Sequence, residues 1–194
     1  MDISSDDAFD DYLDAVLIGG REKRELILVD YVPTWATRFA SERVRILEAL
    51  SDVARRVDHV GSTAVPGLAA KPIIDLLVAV DDPDYEDGYL DAMEGTGYEL
   101  RVREPGHRMF RTLERDVHVH VWKAGSEDER RHLLFRDWLR QAPDDRALYE
   151  GAKRRFVGKK FTDMNYYARA KGPVIEEIMQ RAEAWAAQAN APAT

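Results

Sequence analysis

The chain has 194 residues with 36 acidic against 28 basic side chains, and its formal net charge of −8 gives no general attraction for nucleic acid, whose binding is dominated by phosphate neutralisation. Cysteine is absent, which excludes disulfides, thiolate metal sites and thiol nucleophiles. A hydrophobic share of 45%, with no apolar run near the ~20 residues that span a bilayer and no basic start followed by an apolar leader, predicts a soluble, folded, cytoplasmic protein rather than a membrane or disordered one.

Residues 1–25 form an acidic segment in which Phe9, Leu13, Val16 and Leu17 recur near helical spacing, predicting a short docked helix ended by Gly19-Gly20. A strand is predicted over Ile27 to Val32, stopped by Pro33, and a helix follows with Trp35, Phe39, Ile46, Leu47 and Leu50 on one face. Val57 to Val60 and Ile73 to Val80 are strands on either side of a Gly-Ser-Thr turn and a Pro/Gly-punctuated connection. Tyr89, Leu90 and Met93 mark a helix closed by Gly95 and Gly97, and strands follow at Tyr98 to Val102, His107 to Leu113 and Val117 to Lys123. From there the pattern turns helical. Ser126 with Glu129 is a capping-box signature for a helix ending before Pro143, Asp144 caps another reaching Lys159, and a last one from Asp163 to Ala189 is kinked or split at Gly172-Pro173. The chain therefore divides into the acidic segment, an α/β core over residues 26–124, a helical part over 125–189 packed on it, and a frayed tail over 190–194.

The chemistry concentrates around the turn. Gly61, Ser62 and Thr63 leave backbone N–H groups uncovered and add two hydroxyls, which suits a phosphate. Asp75 is the one charge in an apolar strand, and an ionised carboxylate there needs a partner, either a divalent cation or a base such as Lys71. In Val117 to Trp122 the alternation puts His118, His120 and Trp122 on one face, and two imidazoles about 7 Å apart can converge on one metal or one phosphate. If this strand neighbours that of Asp75, then Asp75 and one or both of His118 and His120 form one divalent-metal or proton-transfer centre beside Ser62, with His120 or else His118 as base or ligand. His59, just before the turn, is a further candidate, with a structural role as its plainer reading. Arg108 and Arg111 fall on opposite strand faces, so one at most enters a cleft. Arg136, four residues after His132, with Lys153 four after Tyr149 and Lys171 before the Gly172 break, are the candidate phosphate clamps.

Five segments in order, HVGSTAVPGLAAKPIID (59–75), HVHVW (118–122), GSEDERRHLLFRDWL (125–139), YEGAK (149–153) and AKGPVI (170–175), make the chain resemble the GrpB family over residues 26–182, a group similar to the nucleotidyltransferase superfamily. That resemblance implies a mixed α/β nucleotidyltransferase-like fold, a glycine-serine turn that holds a nucleoside triphosphate, Mg²⁺ or another divalent metal at strand aspartates, and a small-molecule acceptor. The superfamily's second acid stands two residues after the first. Leu77 occupies that position, so the carboxylate pair of two-metal transfer is broken. One alternative is a nucleotide- or metabolite-binding module without turnover. Another is a histidine-dependent phosphohydrolase of the histidine-triad kind, for which Trp122 stands in the place of the third histidine. An interaction protein using the helical half has no motif behind it.

Overall fold

A computed structural model describes residues 5–189, so the tail expected to fray, 190–194, lies outside the described residues. Five strands form one mixed sheet in the order β1-β2-β5-β4-β3: β1 (Arg56–Val60), β2 (Ile74–Val80), β3 (Tyr98–Glu104), β4 (His107–Thr112) and β5 (Val117–Lys123). β2 and β5 run parallel, and the other neighbours are antiparallel. The helices are α1 (Asp6–Val16), α2 (Thr34–Leu50), α3 (Leu90–Gly95), α4 (Glu127–Gln141), α5 (Pro143–Arg154), α6 (Met164–Ala170) and α7 (Gly172–Ala189). None among the described residues is long and apolar enough to cross a membrane.

Period-two alternation gives the sheet two unlike faces. On one, Ile74, Leu76, Val78 and Val80 of β2 join Val117, Val119 and Val121 of β5 and Phe110 of β4 under Trp35, Ile46 and Leu50 of α2 and Met93 of α3. This is the main core. The other face carries Asp75, His118 and His120 and is covered only in part. Val60, Leu77 and Ala79 meet Leu133 of α4 at one end, and α1 covers Val102 and Met109 at the other. A second core of Val65, Leu68, Leu139, Tyr149 and Ile178 ties the connection after β1 to α4, α5 and α7.

Two expectations change and a third is resolved. Ile27 to Val32 is not a strand: Val29 makes one isolated bridge to Ala70 and Glu25 one to Lys160, while Ile27 is 56% exposed. The segment lies along the β1–β2 connection, where no ladder is available to extend it. α5 begins at Pro143 with Ala142, not Asp144, as its N-cap, and it stops at Arg154 before a turn in which Gly158 takes φ +79°. The last helix is split, not kinked, because Pro173 has no N–H to continue α6; Lys171 caps α6 and accepts the Ile175 N–H of α7 at 3.0 Å.

α1 is held by apolar and ionic contacts together. Phe9, Leu13 and Leu17 are buried against Val102, Met109 and Tyr166, while Asp6 pairs with Arg169, and Asp10 accepts the Tyr166 hydroxyl at 2.6 Å. The acidic run is thus a set of tethers. Removing the anchor in Phe9→Ala is expected to cost about 3 kcal/mol. Hydrogen exchange should show α1 amides losing protection while those of Ile46 and Leu76 keep theirs.

Candidate functional site

β1 runs into Gly61 at φ +68°, and a Cβ there would stand 2.5 Å from Asp75 Oδ2, so the position requires glycine for both conformation and space. The 3-10 turn Ser62–Ala64 follows. Its hydroxyls diverge. Thr63 Oγ1 donates to Ile73 O at 3.1 Å and accepts from His59 Nε2 at 3.0 Å, so it is engaged inside the fold. His59 stacks on Phe39 with centroids 4.7 Å apart, and burial pushes it down to about 4, which makes it a neutral structural donor. Ser62 Oγ, by contrast, accepts from Lys153 Nζ at 3.1 Å on the cleft side.

Register across the sheet assembles the centre. Val60 pairs with Asp75, Asp75 with His118, and His118 with Arg111, so turn, carboxylate, imidazole and guanidinium form one row on one face. His118 Nδ1 lies 3.5 Å from Asp75 Oδ1, and His120 Nε2, one pleat along, lies 3.9 Å from the same oxygen. Burial opposes the Asp75 carboxylate, but the two imidazoles facing it outweigh that and hold it well below the usual carboxylate range. Burial also keeps His118 below the ordinary imidazole range. The three donor atoms all lie within 4.8 Å of one another. Donors bound at about 2.1 Å around a tetrahedral ion stand about 3.4 Å apart, so one carboxylate oxygen and two imidazole nitrogens in this arrangement fit a single divalent ion.

A cleft of about 370 Å³ opens over this row. Six of its lining side chains are lysine or arginine (Arg24, Lys71, Arg101, Arg111, Lys153, Lys171) and three are acidic (Glu22, Asp75, Asp163), a basic surface in an acidic protein. Lys153 and Lys171 flank Tyr149 and Tyr167: Lys153 Nζ is 4.8 Å from the Tyr149 ring centre, and Lys171 Nζ is 4.5 Å from that of Tyr167. Lys71 stands 5.8 Å from the Tyr167 ring centre on another side. Lys153 is only 2% exposed, and burial reinforced by Lys171 pushes it down to about 7.

Arg136 does not line this cleft. Its guanidinium donates to Asp58 Oδ1 at 2.9 Å and to His59 O at 3.0 Å, fastening α4 to β1, and it is withdrawn from the phosphate clamps. Of the strand pair, Arg111 faces the cleft, paired with Glu22 at 3.0 Å and Glu99 at 2.6 Å, while Arg108 is engaged by Asp84 and Glu86 away from it. Sequence reasoning passed over His107, Glu104, Asp163 and the stretch of Glu22 and Arg24. His107 pairs with Trp122 across β4–β5, so counting back along the hairpin register would have found it.

The GrpB protein family model matches residues 25–181. The chain belongs to the GrpB family. A UPF0157 protein of Streptomyces coelicolor is 54% identical over 169 residues, covering 87% of this chain and 90% of that protein. The crystal structure of the conserved GrpB protein from Enterococcus faecalis superposes with a TM-score of 0.68 at 30% identity, over 82% of this chain and 99% of the other. A dephospho-CoA kinase of Mycobacterium leprae is 30% identical over 191 residues, covering 82% of this chain but 47% of that protein. The architecture is therefore the mixed α/β fold of GrpB. Its matched residues start after α1, so Glu22 and Arg24 enter the cleft from outside the GrpB model's span.

Two substitutions test this geometry. Gly61→Ala should lower stability by about 2 kcal/mol or more, from left-handed backbone strain and collision with Asp75, read by chemical denaturation. Lys153 is pushed down from an unfolded value of about 10.4, so the unfolded chain binds more protons between the two values and the burial penalty fades as pH rises. Wild type should accordingly gain a few kcal/mol relative to Lys153→Met between pH 7 and about 10 in denaturation midpoints measured across that range.

Proposed function

We propose that this protein binds the phosphates of a nucleoside triphosphate in the cleft, beside a divalent cation on Asp75, His118 and His120, and transfers a nucleotidyl group to a small-molecule acceptor in the cytoplasm. The observation that carries the reading is one cleft that holds the Gly61-Ser62 turn, a three-donor cation set and the cluster of Lys71, Lys153 and Lys171. Ser62 and the backbone of the turn cradle phosphate oxygens, the lysines balance their charge, and Asp75 would hold the cation against the phosphate beside the turn. The cation would supply charge neutralisation at phosphorus and activation of the attacking oxygen. Two imidazoles with one carboxylate suit Mn²⁺ or Zn²⁺ better than Mg²⁺, whose preference is for oxygen donors. A relative named dephospho-CoA kinase is matched over about half its length, so a unit of this kind occurs in one polypeptide that bears a kinase name.

A specific observation favours a second reading, a binding module without turnover. Leu77, in the place of the second acid, is fully buried with Val60, Ala79 and Leu133, which leaves no room for another metal there.

Calorimetric titration with each nucleoside triphosphate, with and without Mn²⁺, Zn²⁺ or Mg²⁺, tests both. Metal-dependent binding should weaken at least tenfold in Asp75→Asn and also in Lys153→Met with Lys171→Met. Absence of nucleotide binding in the wild type overturns both readings. Pyrophosphate release on adding acceptor mixtures separates transfer from binding alone.

A further inference from the structure

His120 is not held by its own strand alone. At the β3–β4 hairpin, Glu104 pairs with His107 and His107 with Trp122 across the strands, so a second row of side chains lies one pleat from His120 on the cleft face. His107 is 6% exposed, its ring stacked 3.9 Å from Trp122 and 5.3 Å from His120 with interplanar angles of 11° and 9°. Its Nδ1 lies 2.6 Å from Glu104 Oε1, and its Nε2 lies 3.1 Å from His120 Nδ1. The Tyr12 hydroxyl of α1 donates to the other Glu104 oxygen.

We propose that Glu104 and His107 are positioning residues that lock His120 with its Nε2 facing Asp75, and so set the affinity of the cleft for a borderline transition-metal ion. Which atoms can donate fixes the orientation of both rings. A carboxylate only accepts, so the His107 proton sits on Nδ1, and in a buried neutral imidazole Nε2 is then the acceptor. His120 must answer with an N–H on Nδ1, because two lone pairs 3.1 Å apart repel. Its Nε2 is thereby turned toward Asp75, 3.9 Å from Oδ1, and is the nitrogen left for a metal to take. Trp122, in the position where a histidine-triad strand has its third histidine, serves here as the stacking wall that keeps His107 flat against His120.

The inference rests on the cation reading above, and the test separates the two. In metal-free wild type, long-range ¹H–¹⁵N spectra should show His120 protonated at Nδ1; an unprotonated Nδ1 overturns the positioning role without any variant. Co²⁺ is then titrated, followed by its visible absorption. His107→Phe keeps the stack but loses the acceptor and should bind Co²⁺ about 10- to 100-fold more weakly, with His107→Gln, whose amide oxygen can accept the same proton, recovering most of the loss. Wild-type Co²⁺ binding together with an affinity of folded His107→Phe within twofold overturns the positioning role alone. A wild type that binds no Co²⁺ overturns the cation reading itself. If His107→Phe does not fold, the wild-type tautomer decides.

Discussion

A carboxylate in the middle of a strand whose six other side chains are buried is costly unless it is met by groups that favour its charge. Here the parallel register of β2 against β5 meets it, because Asp75 pairs with His118 and lies within reach of His120. Much of the cleft face follows from that pairing. The next residue in the row is Val60, and Gly61 directly after it has to lack a side chain because the carboxylate already fills the space. On the other side Arg111 follows, and Glu22 and Glu99 compensate it. A face so polar cannot be sealed by apolar helices, so α4 and α1 cover its two ends and a cleft remains between them.

The opposite face provides the stability that allows this. Its valines, leucines and isoleucines pack on α2, so the polar residues of the cleft are set out on an already rigid sheet. α4 contributes twice. Leu133 closes the apolar end of the cleft face, and Arg136 and Arg140 fasten the helix to His59 O and Ala64 O on either side of the glycine-serine turn. The turn is therefore held at both ends by arginine donors, while the Asp75 side chain occupies the space beside Gly61.

Where periodicity was strong, the sequence was legible. The β2 and β5 strands, the turn between β1 and β2, and the shared face of His118 and His120 all followed from alternation and small residues, and the lysines of α5 and the α6–α7 junction were reached through helical spacing and the Gly172-Pro173 break. Alternation says nothing of whether a strand has a neighbour, so the apolar stretch from Ile27 to Val32 was misjudged. Residue type says nothing of direction either. Thr63 and Arg136 have the right chemistry for phosphate but bond inside the fold, and His107 went unnoticed because its importance depends on hairpin register and not on its own neighbours in the chain. Glu22 and Arg24 reach the cleft along the stretch after α1, where Glu22 is held by Asp163 and Arg111, contacts distant in sequence that helical spacing does not reveal.

The docking of α1 has a bearing on the edge of the sheet. β3 is an outer strand, and the residues after α1 pair with it: Leu17 bridges Val102, and Ile18 N donates to Arg101 O at 3.0 Å. Arg101 in turn donates to the carbonyls of Ile18 and Gly20. An outer strand with unpaired backbone groups and an apolar neighbour is a template for another chain. A protein trimmed to residues 25–181 would bare both that backbone and the Val102–Met109 patch, so the N-terminal segment doubles as a guard against edge-to-edge aggregation, whatever ligand the cleft holds.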